Sequence, residues 1–349
     1  MSALQSKFNT WKHKYKIIFL LISLLLYGNT LKNGYSLDDE FVTGPTNITA
    51  KGFRAIPKVF KLFHVTDESG NNYEYRPIVK VTFAIEHGLW GQNLMLSHLV
   101  NVLLYALCLI VLFNLLKLLF KEINEFIIFL IVLVFAFLPI HSEVVASLKN
   151  RDVMLSFIFS FAAFTNILKY LDTKKKVKLL FAAISFSLGY LSKFDVVPLI
   201  AIIPVVVFKK YKTNYKTIII LASAFVFAYL MYRMTKGLML DRKAVQGTRI
   251  YQYFENPLNF EHEFIDRISA GFNSLVFYVK MLSWPNKMAC YYGYTAIPIF
   301  SFTSFYALIG LGTSALLGYV FFNRFKKPDM LWFGVVFFVG FISMYLNVA

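Results

Sequence analysis

LLFAAISFSLGYLSKFDVVPLIAIIPVVVF, running from Leu179 to Phe208, decides how this chain is laid out. It is an apolar run broken by Lys193 and Asp195, with Pro198 and Pro204 beyond. As a single membrane crossing it would put Lys174–Lys178 and Lys209–Lys216 on opposite sides, against the tendency of basic loops to share the cytoplasmic side. As a hairpin it keeps both basic loops inside. Its tip is then Ser192-Lys193-Phe194-Asp195, and the short arms hold that tip slightly below the outer surface. The hairpin is the expected arrangement.

The rest of the chain supports a membrane reading. Hydrophobic residues make up 58% of the 349, and 18% are aromatic, above the apolar share of a soluble domain. A crossing helix needs roughly 20 apolar residues. Segments 17–33, 94–116, 123–140, 153–171, 217–235, 303–322 and 331–348 meet that need, and the hairpin adds two arms. The expected fold class is therefore an all-α polytopic membrane protein of about nine spans over residues 1–349, with the N-terminus inside. The first segment, flanked by Lys7, Lys12, Lys14 and Lys16, has no small-residue cleavage site after it and reads as a retained anchor. The net charge of +17 collects in short runs between apolar segments, so it sets topology and calls for no nucleic acid. Cys108 and Cys290 imply no disulfide framework.

Two segments resist a simple crossing. Residues 267–284 carry Arg267, Asn273, Ser274 and Lys280 and end at Pro285, which points to an interfacial or re-entrant helix. Residues 34–92 form a first outer loop, close to charge-balanced and too long for a plain connector, expected to carry short interfacial helices such as Ile56–Phe63. No period of about 34 residues is visible, so no tetratricopeptide domain is expected. The apolar run close to Ala349 leads to the expectation of a shortened chain.

This layout brings ionisable side chains to the outer face. The first loop supplies Asp38, Asp39, Glu40 and Arg76; the second supplies His141, Glu143, Arg151 and Asp152. The hairpin tip supplies Lys193 and Asp195, and a later loop Arg242, Lys243 and Arg249. Carboxylates can abstract protons, and Arg or Lys can hold a phosphate, Arg in a forked mode. Each piece also has a plainer reading. Asp38-Asp39-Glu40 reads equally as a solvated acidic turn beside a membrane helix. Arg151-Asp152 can cap the helix that follows. Lys193 and Asp195 can form a structural ion pair. His98 and Asn101 suit hydrogen bonds between helices. His141 and Glu143 alone fall short of a metal ligand set, so no metal site is assigned.

Four motifs carry a family resemblance. They are Leu37-Asp38-Asp39-Glu40; Tyr75-Arg76-Pro77 with Trp90-Gly91 and Ser97-His98-Leu99-Val100-Asn101; Pro139-Ile140-His141-Ser142-Glu143 with Asn150-Arg151-Asp152; and Leu191-Ser192-Lys193 with Trp284-Pro285-Asn286-Lys287. In this order the chain resembles the GT-C-fold membrane glycosyltransferases, in the branch of tetratricopeptide-associated protein O-mannosyltransferases, and its Phe-, Lys- and Ile-rich composition is similar to bacterial members. The resemblance implies a GT-C-like helical bundle and transfer of a hexose, mannose foremost, from a polyprenyl-phosphate donor to Ser or Thr of translocated proteins, with inversion. It implies Asp38 as general base with Asp39 beside it. Arg76, Arg151 and Lys193 would bind the donor phosphate, and His141, Glu143 and Asp195 would position acceptor or donor. Where the family has Glu after Ser-Lys, this chain has Phe194, with Asp195 one position later.

The partners so implied are a polyprenyl-phosphate sugar, a secreted or membrane protein acceptor and membrane lipids; a divalent metal is compatible but not required. The expected location is a bacterial cytoplasmic membrane with the site facing outward, the alternative being the endoplasmic reticulum. Competing functions are transfer to a lipid or polysaccharide acceptor by the same fold, and a non-catalytic scaffold or glycolipid transporter. A transporter would usually place charges near mid-membrane on broken helices with repeat symmetry. Here charges gather at one face and no repeat is evident, which favours the enzyme.

Overall fold

A computed structural model describes residues 13–66, 72–212, 215–239, 263–286 and 302–346, with a few isolated positions between 252 and 292. The chain is an all-α polytopic membrane protein. Among the described residues, the only departure from helix and loop is a short antiparallel ribbon, β1 (Val65–Thr66) with β2 (Asn72–Tyr73), in register Val65 to Tyr73 and Thr66 to Asn72. Two compact units divide the chain: residues 1–196 with 223–247, and residues 197–222 with 248–349.

The first unit opens with α1 (Lys14–Tyr27), prolonged by a 3₁₀ turn at Gly28–Lys32. The loop that follows is ordered: α2 (Asp39–Thr43), a 3₁₀ stretch at Ile48–Ala55, α3 (Ile56–Val59), the ribbon, and α4 (Pro77–Trp90). The sequence reading anticipates short helices here but misses α4. Proline at its first position needs no backbone N–H partner, and Gly91, at φ +70°, stops it in a left-handed turn. Next come α5 (Leu94–Leu119), capped when the Asn93 side chain accepts from the Leu96 N–H at 3.1 Å, and α6 (Glu125–Ala136), capped likewise by Asn124. After a bend of 60° the chain runs through a 3₁₀ turn at Pro139–His141 into α7 (Ser142–Ala146). Then follow α8 (Arg151–Thr173), α9 (Val177–Ser192) and a final 3₁₀ turn at Phe194–Val196.

Four helical stretches are long and apolar enough to cross a membrane among the described residues: Lys14–Lys32, Leu94–Leu119, Arg151–Thr173 and Phe305–Arg324. The bent pair Glu125–Ala136 and Pro139–Ala146 makes a fifth if it counts as one span. Leu21, Leu25 and Val134 stay 59%, 79% and 68% exposed, which suits lipid and not water. The apolar run that opens the sequence reading does break at Lys193, where α9 ends.

The first loop is pinned to the helices by packing. Val42, Val79, Phe83, Leu148 and Leu155 form one buried cluster, and Ala55, Val59 and Ala84 form a second. Full burial of a side chain such as Phe83 contributes about 1.5–3 kcal/mol. The Ile48–Ala55 stretch crosses α4 so closely that a Cβ on Gly52, at φ +61°, would come within 3.0 Å of the Gly88 Cα. Only a glycine pair fits there.

The second unit holds α10 (Leu199–Tyr211), α12 (Phe264–Ser283), α13 (Phe305–Arg324) and α14 (Met330–Ile342), while α11 (Tyr215–Met239) contributes to both units. Asp329 caps α14 and pairs with Arg324, and fully buried Trp332 donates its indole N–H to the Phe321 carbonyl at 3.1 Å. The segment expected as interfacial or re-entrant is the 20-residue helix α12, with Ser269, Ala270, Gly271, Asn273 and Ser274 buried. Arg242, Lys243, Arg249, Lys287 and Cys290 lie outside the described residues.

Candidate functional site

Asp38 and Asp39 are neighbours with opposite environments. Asp39 is fully buried and accepts four hydrogen bonds. The Ser36 N–H and hydroxyl reach its Oδ2 at 3.0 Å, and the Ser147 hydroxyl and Lys149 N–H reach its Oδ1 at 2.8 Å. The Asp38 side chain is 49% exposed, and Lys149 Nζ donates to its Oδ2 at 2.6 Å. The turn that aims the pair is strained: Leu37 sits at φ +45°, a left-handed conformation costly for a branched residue. The bonds from Ser36 to Asp39 close that turn and hold it.

The loop between α7 and α8 is fixed from the other side by Asn101 of α5. Its amide donates to the Val145 carbonyl at 3.2 Å and to the Ser147 carbonyl at 3.0 Å. Its Oδ1 accepts from Arg151 Nε at 2.7 Å. Arg151 is fully buried, and three more of its N–H groups go to Glu86, to the Thr82 hydroxyl at 3.1 Å and to the Ser97 carbonyl at 2.9 Å. The guanidinium also lies 3.9 Å from the centre of the Phe83 ring, and the Ser97 hydroxyl completes Glu86 at 2.6 Å. Arg151 thus ties α4, α5 and α8 together. The fork that the resemblance would give to a donor phosphate is enclosed, with four of its five N–H groups engaged within the fold.

Asp152 points the other way. Its buried carboxylate pairs with Arg76, and Lys193 Nζ stands 3.9 Å from its Oδ1. Arg76 also pairs with Glu74, and Lys193 with Asp195 at 3.4 Å. The structure therefore gathers Arg76, Lys193 and Asp195 around Asp152, with Arg76 and Lys193 side chains 13% and 21% exposed. Glu74, at φ +59°, is a second strained residue and sits two positions ahead of Arg76, where Leu37 sits one ahead of Asp38. Among the described residues the other two non-glycine positions of positive φ, Lys174 and Lys212, merely end helices. Beside this cluster lie the rings of Tyr75, Tyr190, Phe194 and Tyr232, with Tyr190 and Tyr232 centred 5.6 Å apart and Phe194 48% exposed.

Other expected residues separate. Glu143 is exposed and accepts from the Asn150 amide at 3.3 Å, at the edge of the same loop. His141 instead packs on Phe135 and meets the Tyr105 hydroxyl at 2.9 Å through Nδ1, so it does not join Glu143. Among the described residues no group of three or more His, Cys, Asp or Glu gathers in a way that could hold a metal ion. The Asn47 amide donates to the Phe41 carbonyl at 2.7 Å, which ties α2 to the stretch that follows it.

Sequence reasoning passes over Lys149, Glu86, Lys80 and His64. Lys149 directly precedes Asn150-Arg151-Asp152, and that adjacency is the signal it leaves. Buried Lys80 donates to the Phe63 carbonyl at 3.1 Å, and burial pushes its pKa down to about 8. His64 is buried with neither ring nitrogen hydrogen-bonded among the described residues. Burial, and then the positive charges of Arg76, Lys80, Lys149 and Lys193, hold its pKa well below the usual range. Those cations thus share one electrostatic neighbourhood.

Fold and site together define a polytopic helical membrane protein with a half-exposed carboxylate beside Lys149 and a cation cluster around Asp152. Its sequence is similar to proteins named as O-mannosyl-transferases. Human protein O-mannosyl-transferase TMTC1 is 33% identical over 106 residues, which is 30% of this chain and 12% of that protein. Human protein O-mannosyl-transferase TMTC2 is 31% identical over 147 residues, 41% of this chain and 17% of its own length. A Caenorhabditis elegans protein O-mannosyl-transferase is 25% identical over 222 residues, 62% of this chain and 31% of its own length. The chain thus spans less than a third of the length of each of these relatives. No protein-family profile and no solved structure matches.

Proposed function

We propose that the chain is a membrane glycosyltransferase of GT-C type, moving a hexose, mannose foremost, from a polyprenyl phosphate to Ser or Thr hydroxyls of translocated proteins. The observation that carries this reading is the contrast within Asp38-Asp39: one carboxylate is fully occupied by the fold, and the other stands half exposed. The partial similarity to protein O-mannosyl-transferases supports the transferase class.

In the proposed step Asp38 takes the proton of the acceptor hydroxyl. The hydroxyl oxygen attacks the anomeric carbon as the bond from that carbon to the phosphate oxygen breaks, so configuration inverts and lipid phosphate leaves. A weak hydroxyl nucleophile needs such a base. Arg76 and Lys193 stabilise the charge that grows on the departing phosphate, and Asp152 and Asp195 hold those cations in place. The rings of Tyr75, Tyr190, Phe194 and Tyr232 give the prenylated donor an apolar flank. The proposed location is a bacterial cytoplasmic membrane with the site facing outward.

The test is transfer from synthetic polyprenyl-phosphomannose to a Ser/Thr peptide by the full chain in lipid nanodiscs. Asp38→Asn should lower kcat by about 10²–10⁴-fold. An Asp38→Asn protein as fast as the parent would rule Asp38 out as the base.

A further inference from the structure

Lys149 has two attachments of different kind. Its backbone N–H donates to buried Asp39 at 2.8 Å, and its side-chain ammonium donates to Asp38 Oδ2 at 2.6 Å. An exposed Lys–Asp pair usually contributes little to stability, because two long side chains must give up freedom to meet. Here the lysine backbone is already held, and the Ser147 carbonyl before it is held by Asn101. The ammonium therefore reaches Asp38 from an anchored base. Asp38 Oδ2 is taken, while Asp38 Oδ1 has no hydrogen-bond partner among the described residues. One oxygen is fixed and the other is left to accept a proton.

We infer that Lys149 is the positioning residue for Asp38: its ammonium fixes the rotamer of the carboxylate and keeps Oδ1 turned toward the acceptor hydroxyl. This inference rests on the proposed transferase reading, with Asp38 as base. General-base catalysis depends on placing the accepting oxygen within hydrogen-bond reach of the proton, and small misplacements cost large factors. Losing the ammonium leaves the carboxylate present but unaimed. The loss should fall on kcat, since the donor-binding cations Arg76 and Lys193 have partners of their own in Asp152 and Asp195.

The experiment compares Lys149→Met, Lys149→Gln, Lys149→Arg and Asp38→Asn in the same nanodisc assay with polyprenyl-phosphomannose and peptide. Lys149→Met and Lys149→Gln should lower kcat about 10–100-fold and leave the donor KM within about threefold. Lys149→Arg, which restores a charged donor, should recover to within about fivefold of the parent. Parent-like kcat in Lys149→Met, or a loss confined to donor KM, overturns the inference, and so does failure of all three Lys149 variants to fold. If Asp38→Asn keeps the parent rate, the base assignment fails independently of Lys149; if it is inactive while Lys149→Met turns over normally, only the role of Lys149 fails. Infrared difference spectra give a readout without turnover. The carboxylate band that disappears in Asp38→Asn should shift in Lys149→Met, and an unmoved band counts against the inference.

Discussion

Arg151 and Asp152 are adjacent in sequence and serve two regions that differ in kind. Arg151 sits in an enclosed knot with Glu86, Asn101, Thr82 and the Ser97 carbonyl. Asp152 sits under a rim where Arg76 and Lys193 remain partly exposed. The knot joins α4, α5 and α8, and the rim joins segments ahead of α4 and after α9. The first region is enclosed and four of the five Arg151 N–H groups are engaged within the fold; the second keeps its cations at the edge. A charged residue in a motif is thus structural or chemical according to how fully its hydrogen-bonding capacity is spent, and the two uses can occupy consecutive positions.

The largest expected effect tests the knot. Arg151→Met should destabilise the protein by about 3–5 kcal/mol, because it strands the buried Glu86 carboxylate. Thermal unfolding in detergent measures this. Adding Glu86→Leu to Arg151→Met should recover much of the loss, since replacing both members of a buried pair is often close to neutral. If the double variant is no better than the single one, the cost lies in packing and not in stranded charge.

Lys80 extends the comparison, as a buried cation bonded to a carbonyl. Its folded pKa of about 8 lies below the ordinary 10.5, so the unfolded chain holds the proton more tightly. The resulting penalty is complete below about pH 8, fades between pH 8 and 10.5, and is gone above that. Its size is on the order of 3 kcal/mol. Parent stability should therefore rise between pH 8 and 10.5, and Lys80→Met should flatten that rise. Equal slopes in the two proteins would exclude Lys80 as the source.

The rim predicts kinetics instead. Arg76→Gln should raise the donor KM or lower kcat by about 10–100-fold with a smaller loss of stability, because Lys193 stays 3.9 Å from the buried Asp152 carboxylate and keeps it from being stranded. A loss of folding as large as that of Arg151→Met would place Arg76 with the knot.

How far these regions can be read in sequence follows from what each depends on. The four helical stretches of membrane-crossing length were legible because their apolar runs are long, as in the 26-residue Leu94–Leu119. Asp38, Arg76 and Lys193 could be shortlisted because charges beside apolar runs stand out. α4 was hidden because Lys80, Glu86 and His87 make it resemble a polar loop. The Arg151–Glu86 pair was hidden for the same reason: the carboxylate lies 65 residues away on the helix that went unread. His141 and Glu143, both given positioning roles by the resemblance, are parted by the turn into α7, which sends one to Tyr105 and the other to Asn150. Lys149 left no chemical signature of its own, since what sets it apart is that its backbone is anchored on Asp39 while its ammonium reaches Asp38.

The smallest effect bears on the loop that serves both regions. Ser147 donates its hydroxyl to Asp39, but Asp39 keeps three other bonds, from the Ser36 N–H, the Ser36 hydroxyl and the Lys149 N–H. Ser147→Ala should therefore cost about 1 kcal/mol, the net contribution of one hydrogen bond, or somewhat more because the acceptor is a buried carboxylate. The loop would remain held by Asn101 through the Val145 and Ser147 carbonyls, which the substitution leaves untouched. Turnover should fall less than in Lys149→Met, because the ammonium on Asp38 is retained. A Ser147→Ala protein of parent stability but with turnover as low as Lys149→Met would mean that Asp39 acts on the chemistry more directly than a buried anchor should, and the division between Asp38 and Asp39 would have to be redrawn.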